Sequence, residues 1–187
     1  DVYKRQLVDE NPGKSKQAIT QLSGMLRSSL NSGRDRLTPL KEEIRIVQDY
    51  LGLEMIRFEE RLNPQFEIDP ATENLLVPPL MIQTLVENGV KHGISKLTHG
   101  GSIQIGTKLE NSTLHIWIKN SGTLKDDQAS KGMGLANTRQ RLKLLFGDQA
   151  SLTIQEEGAK DVLTKIFIPV TSDIAVSYTH LTLPTKA

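Results

Sequence analysis

The chain has 187 residues, of which 37% are hydrophobic, so it can bury the core of one domain or of a compact domain with an appended element. Lys and Arg total 23 against 22 Asp and Glu, a balance that gives no long-range attraction to nucleic acid or to an acidic membrane surface. The absence of cysteine excludes disulfides and thiolate metal sites, and no apolar run approaches the roughly 20 residues that span a bilayer.

Two helices are predicted in the first third of the chain. Between Ala18 and Leu30, apolar residues recur at three- and four-residue steps, which is typical of an amphipathic helix. A second helix is predicted with Thr38 as its cap and Pro39 at its first position, and its apolar stripe comprises Leu40, Ile44, Val47, Leu51, Met55, Phe58 and Leu62. Because this long helix is apolar on one side, we expect it to pack on a counterpart in a helical hairpin or in a second subunit.

Short strands and helices alternate in the rest of the chain, up to about residue 170. Residues 65–69 predict a strand, and residues 80–91 predict a third helix that stops at Gly93. Residues 102–110 and 112–120 alternate around a polar turn at Asn111-Ser112, which indicates an antiparallel hairpin. A helix with inward Leu135, Leu142 and Leu145 that ends at Gly147, and two more strands, complete a sheet of about five strands.

The two ends of the chain differ from the rest. Residues 171–187 show no usable periodicity, and they resemble translated adapter sequence, as does the segment 1–6. We expect both segments to be disordered or a sequence artefact, and we give them no place in the fold.

A polar stripe interrupts the apolar pattern of the third helix. Thr84, Asn88 and Lys91 lie at steps of four and three residues and therefore share one face. The general rule that charged residues are exposed would make this an ordinary solvated face. The stripe alone does not decide between that interpretation and a binding site.

Two glycine-bearing segments further along favour a binding site. IKNSG (118–122) ends a strand, and KGMGLANTRQRL (131–142) places Gly132 and Gly134 directly before a helix. Free backbone N–H groups and the helix dipole can face an anion such as phosphate there, and glycine permits close approach. One such segment is a weak signal, but three polar or glycine clusters in fixed order are a much stronger one.

LVENGVKHG, NSG and GMGLANTRQRL, in this order, resemble the N, G1 and G2 boxes of the GHKL ATP-binding superfamily of gyrase, heat-shock chaperone, histidine kinase and MutL. With LSGMLRSSL and LTPLKEEIRIVQDYLGLEMIRFEERL, the chain more closely resembles LytS/YehU-like sensor histidine kinases over about residues 7–170. The resemblance implies an α+β fold, a GHKL (Bergerat-type) α/β sandwich whose mixed, largely antiparallel sheet is covered on one face by helices and preceded by long helices. It divides the chain into partial dimerisation and phosphotransfer helices (7–62), which lack the acceptor-histidine helix, and an ATP-binding catalytic domain (63–170).

The resemblance also implies ATP and Mg²⁺ as ligands. Asn88 matches the asparagine whose side-chain oxygen binds Mg²⁺, and Lys91 would reach a phosphate as a point charge. His92 would lie near the nucleotide, unless it is a helix-end histidine that caps carbonyl groups. Asn120 takes the adenine-recognising position. The other matched positions are Gly122 of the G1 box and Gly132, Gly134, Leu135 and Asn137 of the G2 box.

Two positions depart from the superfamily pattern. Asn120 stands where Asp is usual, and an amide oxygen accepts the hydrogen bond of the adenine amino group without charge assistance, a loss of roughly 1 kcal/mol. We therefore expect weakened ATP binding. Leu124 stands where a second glycine is usual, which changes the expected shape of the lid at 123–131. Arg141 is expected to pair helices, with a phosphate contact as the second interpretation.

The absence of a carboxylate at one position of the third helix limits which reaction of ATP we expect. Hydrolytic members such as MutL carry a glutamate four residues before the N-box asparagine, as a general base for water, and this chain has Thr84 there. Glu87 lies about 100° around the helix from Asn88, and a helix salt bridge or a contact to the other domain is its favoured role. The catalytic residue is thus unknown, with Glu87 as the one candidate. Phosphoryl transfer to a side chain is favoured over hydrolysis and over a MutL-like clamp.

The sequence predicts an enzyme fragment, the catalytic part of a two-component sensor histidine kinase that passes the γ-phosphoryl of Mg-ATP to an upstream histidine and thence to a response regulator. In this family the acceptor histidine lies in a segment Asn-Pro-His-Phe-Leu-Phe-Asn. Here Asn11-Pro12 is followed by Gly13-Lys14, which does not match that segment. We therefore expect no autophosphorylation by the fragment alone. We expect a homodimer in the intact protein, no nucleic-acid partner, no membrane contact by this fragment, and a cytoplasmic position in a bacterial inner-membrane protein. The alternative is a nucleotide-binding-degenerate signalling or dimerisation module without kinase activity.

Overall fold

The computed structural model describes residues 37–58, 61–124 and 133–170. The helix predicted at 18–30, the end segments 1–6 and 171–187, and Gly132 lie outside the described residues. Three α-helices are described, α1 (Leu40–Phe58), α2 (Met81–Asn88) and α3 (Met133–Phe146). The strands are β1 (Thr38–Pro39), β2 (Leu62–Ile68), β3 (Leu76–Val77), β4 (Gly101–Glu110), β5 (Thr113–Ser121), β6 (Ser151–Glu157) and β7 (Asp161–Pro169).

Five strands form one sheet in the order β2-β4-β5-β7-β6. β2 runs parallel to β4, and the other neighbours are antiparallel, so the expected α+β fold with a mixed, largely antiparallel sheet is confirmed. β2 begins before the predicted strand and contains Pro64, which an edge strand tolerates because one of its sides makes no ladder hydrogen bonds. A separate two-residue pair joins β1 to β3.

The β4–β5 hairpin forms as predicted. Asn111 and Ser112 both have positive φ angles, 49° and 55°, which a tight turn between twisted strands requires. Alternate residues of β5 are buried, among them Ile116 and Ile118 at 1% exposure each. The buried face of the sheet packs with the helices in one hydrophobic cluster, so the core lies between the sheet and a helical layer.

Helix α1 belongs to this same core. Leu40 and Val47 are fully buried and Leu51 is 1% exposed, and all three pack in the cluster that contains the sheet. Our expectation that the stripe packs on a hairpin helix or a second subunit was therefore wrong, because the sheet and α2 already cover it. The helix also ends at Phe58, and Leu62 starts β2 instead. The division of the chain at residue 62 stays a prediction.

The starts and stops of the helices differ partly from the predictions. Thr38 and Pro39 form β1, so α1 begins at Leu40, whose N–H donates to the Leu75 carbonyl oxygen at 2.8 Å. The predicted stop at Gly93 is confirmed, because α2 continues into a π-helical turn that ends at Gly93, whose φ of −99° and ψ of −83° are not helical, and a separate 3-10 turn follows at Ile94–Lys96. Gly147 ends α3 as predicted, with a φ of 64°. Among the described helices, none has the length and apolar composition needed to span a bilayer.

Candidate functional site

The start of α2 is fixed by a buried carboxylate of α1. Glu43 is 0% exposed, and its two carboxylate oxygens accept hydrogen bonds from the N–H groups of Leu80, at 2.6 Å, and Ile82, at 3.0 Å. These N–H groups have no partner within the helix, so Glu43 caps α2 from another element. Leu80 adopts a left-handed conformation at this point, with a φ of 61°. The cap sets the position of the polar stripe on α2.

The polar stripe of α2 contains both engaged and open side chains. The Thr84 hydroxyl donates to the Leu80 carbonyl oxygen at 2.6 Å, Asn88 is half-buried, and Lys91 is exposed. Glu87 lies outside this stripe and accepts a hydrogen bond from Gln83 Nε2 at 2.7 Å. Asn88 and Lys91 therefore present an amide and an ammonium group along one side of the helix.

The π-helical turn packs closely against the end of β5. A β-carbon added at Gly89 would lie 2.9 Å from Asn120 Oδ1, and one added at Gly93 would lie 2.5 Å from Asn120 Nδ2 and 2.6 Å from the Ser121 carbonyl oxygen. A β-carbon added at Gly122 would lie 2.7 Å from the Gly93 α-carbon. Only glycine permits this approach, and Gly122 also has a φ of 140° that other residues rarely adopt.

A cleft of about 410 Å³ opens where these two segments meet. Its walls come from the π turn and the following 3-10 turn, from the end of β5, and from the β6–β7 turn. The lining residues are His92, Gly93, Lys96, Leu97, Gly100, Ser121, Gly122, Thr123 and Lys160. Its volume is within the range of about 300–1,000 Å³ that small-molecule sites usually have.

The cleft region is electropositive. Lys96 and Lys160 line it, and Lys91 is close enough to His92 to act on its titration. Burial, followed by the charges of Lys96 and Lys91, lowers the pKa of His92 below its usual range. His92 is thus held neutral at pH 7, and the lysines supply the positive charge. A cleft of this charge suits an anion.

A smaller crevice of about 170 Å³ lies between the starts of α2 and α3. Thr84, Gly134 and Asn137 line it, and a β-carbon added at Gly134 would lie 2.9 Å from Thr84 Cγ2. Arg141 Nη1 donates to the Pro79 carbonyl oxygen at 3.2 Å, so the expected helix-pairing role of this arginine is confirmed. Leu135 is 4% exposed and packs in the hydrophobic cluster.

The expected site residues are divided between the two ends of α2, and Asn88 and Lys91 line neither the cleft nor the crevice. His92 and Gly122 line the cleft, and Asn120 lies directly behind its wall with 4% exposure. Gly134 and Asn137 line the crevice at the other end of α2. Sequence reasoning missed Lys96, Leu97 and Lys160 in the cleft. Lys96 and Leu97 lie in what we expected to be a loop. Lys160 lies in the β6–β7 turn, about 40 residues after the end of β5, so no local sequence pattern indicates that it reaches the cleft.

A second hollow, of about 430 Å³, lies on the other face of the sheet. His115, Trp117 and Phe167 line it, and they alternate along β5 and β7 with residues of the core. Lys119 is paired with Glu157, at 2.8 Å, and Lys108 with Glu110, at 3.1 Å. These acidic partners offset the charge of two of the three lysines that line the hollow, and Lys165 is the third.

Asn88 is the residue expected to hold a metal ion. Within the described ranges, no group of three or more His, Cys, Asp or Glu side chains could hold a metal ion. Mg²⁺ keeps most of its water ligands and takes phosphate oxygens as further ligands, so a single amide oxygen suits it. A single amide oxygen suits a metal enclosed by protein ligands less well. Asn88 is half-buried and shares one side of the helix with Lys91, which is compatible with that arrangement.

The family model and the known relatives that match this chain agree with each other. Residues 3–62 match the family model described as histidine kinase, a match that includes residues 3–6 of the segment that we left out of the fold. The sensor protein LytS of Staphylococcus epidermidis is 31% identical over 162 residues, which cover 80% of this chain and 27% of the relative. The chain therefore spans about a quarter of the length of that curated relative.

Solved structures agree on the fold. The histidine kinase domain of the blue-light activated histidine kinase of Erythrobacter litoralis has a TM-score of 0.57 and 17% identity, over 90% of this chain and 83% of that chain. The histidine kinase ThkA, in complex with the response regulator protein TrrA, has a TM-score of 0.53 and 18% identity, over 87% of this chain and 52% of that chain. At these identities, the likeness concerns the fold alone.

Proposed function

The chain belongs to the histidine kinase family, and on that premise we propose that it is the ATP-binding catalytic part of a two-component sensor histidine kinase. The observation that carries the proposal is the packing of Gly93 on Gly122. It brings the end of the polar α2 helix against the end of β5 and opens a cleft lined by Lys96 and Lys160. A purine base and a polyphosphate need these two environments together, a glycine-walled slot and a basic rim.

Different residues of the chain would contact the base and the phosphates of the nucleotide. The base would enter the cleft beside the packed pair of Gly93 and Gly122, against the exposed side of Leu97. The phosphates would follow the stripe of α2, where Lys91 supplies a point charge and Asn88 Oδ1 a ligand for Mg²⁺. When bound, Mg²⁺ offsets the negative charge of the phosphates during transfer. Gly134 and Asn137, at the start of α3, would border the phosphate end.

Two contacts favour transfer of the phosphoryl group to a side chain over hydrolysis. The Thr84 hydroxyl is bound to the Leu80 carbonyl oxygen, and no carboxylate occupies this position. The Glu87 carboxylate accepts a hydrogen bond from Gln83, on another side of α2. Neither residue is placed as a base for water beside Asn88, so the γ-phosphoryl group is kept for a histidine of the kinase.

The partners and the location extend this proposal to the intact protein. ThkA, which shares the fold, has been captured with a response regulator, which supports a response regulator as the phosphoryl acceptor downstream. We infer a homodimer in the intact protein, and a cytoplasmic position in a membrane-anchored bacterial sensor. The relationship to LytS, named as a sensor protein, supports the sensor role.

Calorimetric titration with ATP, with and without Mg²⁺, tests the proposal. We expect binding that requires Mg²⁺, and Asn88→Ala should weaken it about tenfold or more because the metal loses its protein ligand. Asn63→Ala, at an exposed position of edge strand β2, is the matched control and should bind as the original chain does.

Absence of binding by the folded chain would instead support the alternative, a signalling or dimerisation module with a degenerate nucleotide site. The nearly complete burial of Asn120, at 4% exposure, is the observation that favours this second candidate.

A further inference from the structure

One residue of the turn before α2 has a strained backbone. Leu80 has a φ of 61° and a ψ of 15°, in the left-handed region that residues with a β-carbon rarely adopt. A conformation of this kind persists only where neighbouring groups hold it in place. The contacts around the turn therefore indicate which parts of the molecule keep α2 in its position.

The peptide group between Pro79 and Leu80 is held at both ends. Its N–H donates to a carboxylate oxygen of Glu43, on α1, at 2.6 Å. Its carbonyl oxygen accepts a hydrogen bond from Nη1 of Arg141, on α3, at 3.2 Å. The peptide bond is trans, so its N–H and its carbonyl oxygen point in opposite directions. A rotation of this peptide group would change the φ of Leu80 and break both hydrogen bonds.

The two side chains that hold the peptide group carry opposite charges. Burial raises the pKa of the Glu43 carboxyl, and the backbone hydrogen bonds from α2 and the positive charge of Arg141 lower it. The charge of Arg141 therefore reaches Glu43. Both side chains favour the same orientation of the peptide group between them.

The same turn sets the spacing between α2 and the start of α3. The Thr84 hydroxyl donates to the Leu80 carbonyl oxygen at 2.6 Å, and a β-carbon added at Gly134 would lie 2.9 Å from Thr84 Cγ2. The start of α3 thus packs on a side chain that is bonded to the turn. The crevice of about 170 Å³ lies between these two helix starts, and Asn137 lines it.

We propose that Glu43 and Arg141 are positioning residues for the phosphate end of the nucleotide site. By holding one peptide group from opposite sides, they fix how far the start of α3 lies from α2. The inference rests on the proposed function, in which Gly134 and Asn137 border the phosphate end. In this role Arg141 acts through the Pro79 carbonyl oxygen and not through a contact with phosphate.

Calorimetric titrations of the whole chain with Mg-ATP and Mg-ADP test the inference. The two nucleotides share the base and differ in the terminal phosphate, which is the group nearest to α3 in the proposed site. Glu43→Gln and Arg141→Met should each weaken Mg-ATP about fivefold more than Mg-ADP, because each removes a hydrogen bond that holds the peptide group. The double variant should change the ratio of the two affinities by the same factor as one substitution alone, because both act on a single peptide group.

Glu42→Gln and Lys143→Met are the matched controls. They remove the same charges from neighbouring positions of α1 and α3, where the side chains are 45% and 75% exposed. Both variants should keep the ratio of the two affinities that the original chain has.

Two results would overturn the inference while leaving the proposed function intact. One is that the single variants weaken Mg-ATP and Mg-ADP equally, or weaken neither. The other is a double variant whose effect on the ratio is the product of the two single effects, which would show that Arg141 acts independently of Glu43. If the folded original chain binds neither nucleotide, the proposed function fails and the inference fails with it. If Glu43→Gln does not fold, as judged by circular dichroism, Glu43→Asp, whose carboxylate is one methylene shorter, replaces it with the same expected results.

Discussion

Glu43 and Asn120 are polar side chains that the fold buries almost completely, at 0% and 4% exposure. Burial of a polar group is costly unless its hydrogen bonds are satisfied, and each of these residues bonds to backbone groups, Glu43 to those of α2 and Asn120 to that of the next residue in its own strand. Glu43 accepts from the first N–H groups of α2, and Asn120 donates to the carbonyl oxygen of Ser121 beside the cleft. Both residues connect an element of the core to the site.

Glu43 makes the stability of the fold depend on pH. Burial is the largest influence on this carboxyl, and it raises the pKa from 4.5 to about 7 in spite of the backbone hydrogen bonds and the charge of Arg141, which lower it. Below pH 4.5 both the folded and the unfolded state are protonated here. As the pH rises towards 7, only the unfolded state ionises, so the free energy of unfolding falls, by at most about 3 kcal/mol. Glu43→Gln should remove this fall, measured by urea denaturation between pH 4.5 and 8.

Glu42 provides the control for that experiment. It is the neighbouring residue on α1, and its carboxylate lies 3.1 Å from Arg45, with side-chain exposures of 45% and 53%. Glu42→Gln should keep the pH dependence of the original chain. A pH dependence that Glu43→Gln leaves unchanged would show that the stability is linked to another group.

Gly93 is the second residue whose replacement gives a specific result. An alanine side chain there would collide with Asn120 and with the Ser121 backbone, so Gly93→Ala should push β5 away and lower the free energy of unfolding by about 1–3 kcal/mol. Because the same contact forms the cleft, binding of Mg-ATP should be lost. Gly147→Ala meets no neighbouring atom and costs only the strain of a φ of 64°, so it should keep the affinity for ATP. Undiminished binding by Gly93→Ala would contradict the role given to this contact.

Some of these residues could be identified from the sequence, and others could not. The motifs singled out Asn88, Lys91 and Asn120, because the spacing along one helix and the end of one strand can be read locally. The cap by Glu43 could not be read, since its partner Leu80 is 37 positions away in the chain and only the packing of α1 on α2 brings them together.

At the scale of elements, the difference between prediction and structure is most informative for α1. Its apolar stripe was predicted correctly except at Met55, but periodicity states only that a face is buried and not what buries it. The structure places Leu51 in the core of the sheet layer, whereas Met55, one turn later, is 40% exposed. The helix thus contacts α2 and the sheet through its buried face and through Glu43.

Two substitutions in α1 test this assignment. Leu51→Ala should lower the free energy of unfolding by about 2–5 kcal/mol, because it leaves a cavity in the core. Met55→Ala removes a side chain of similar size from a partly exposed position and should cost less than about 1 kcal/mol. Denaturant unfolding of the two variants measures the difference. Equal and small effects would show that α1 is not part of this core.

At the scale of the whole molecule, the strand order and the two layers agree with the fold that the motifs imply. Alternation identified β4 and β5, and their turn residues fixed the register, so this half of the sheet was predictable. The position of the cleft was not, because its walls come from three stretches that are distant in the chain, 92–100, 121–123 and Lys160. Lys160 in particular enters it through the β6–β7 turn.

The most direct test of the proposed function is a map of amide chemical shifts of the 187-residue chain during titration with Mg-ATP. The largest changes are predicted at Gly93, Ser121, Gly122 and Lys160, which line the cleft, and the amides of His115 and Trp117 on the other face of the sheet should stay unchanged. A spectrum of the folded chain that does not respond to Mg-ATP, or that changes only around His115 and Trp117, would contradict the account.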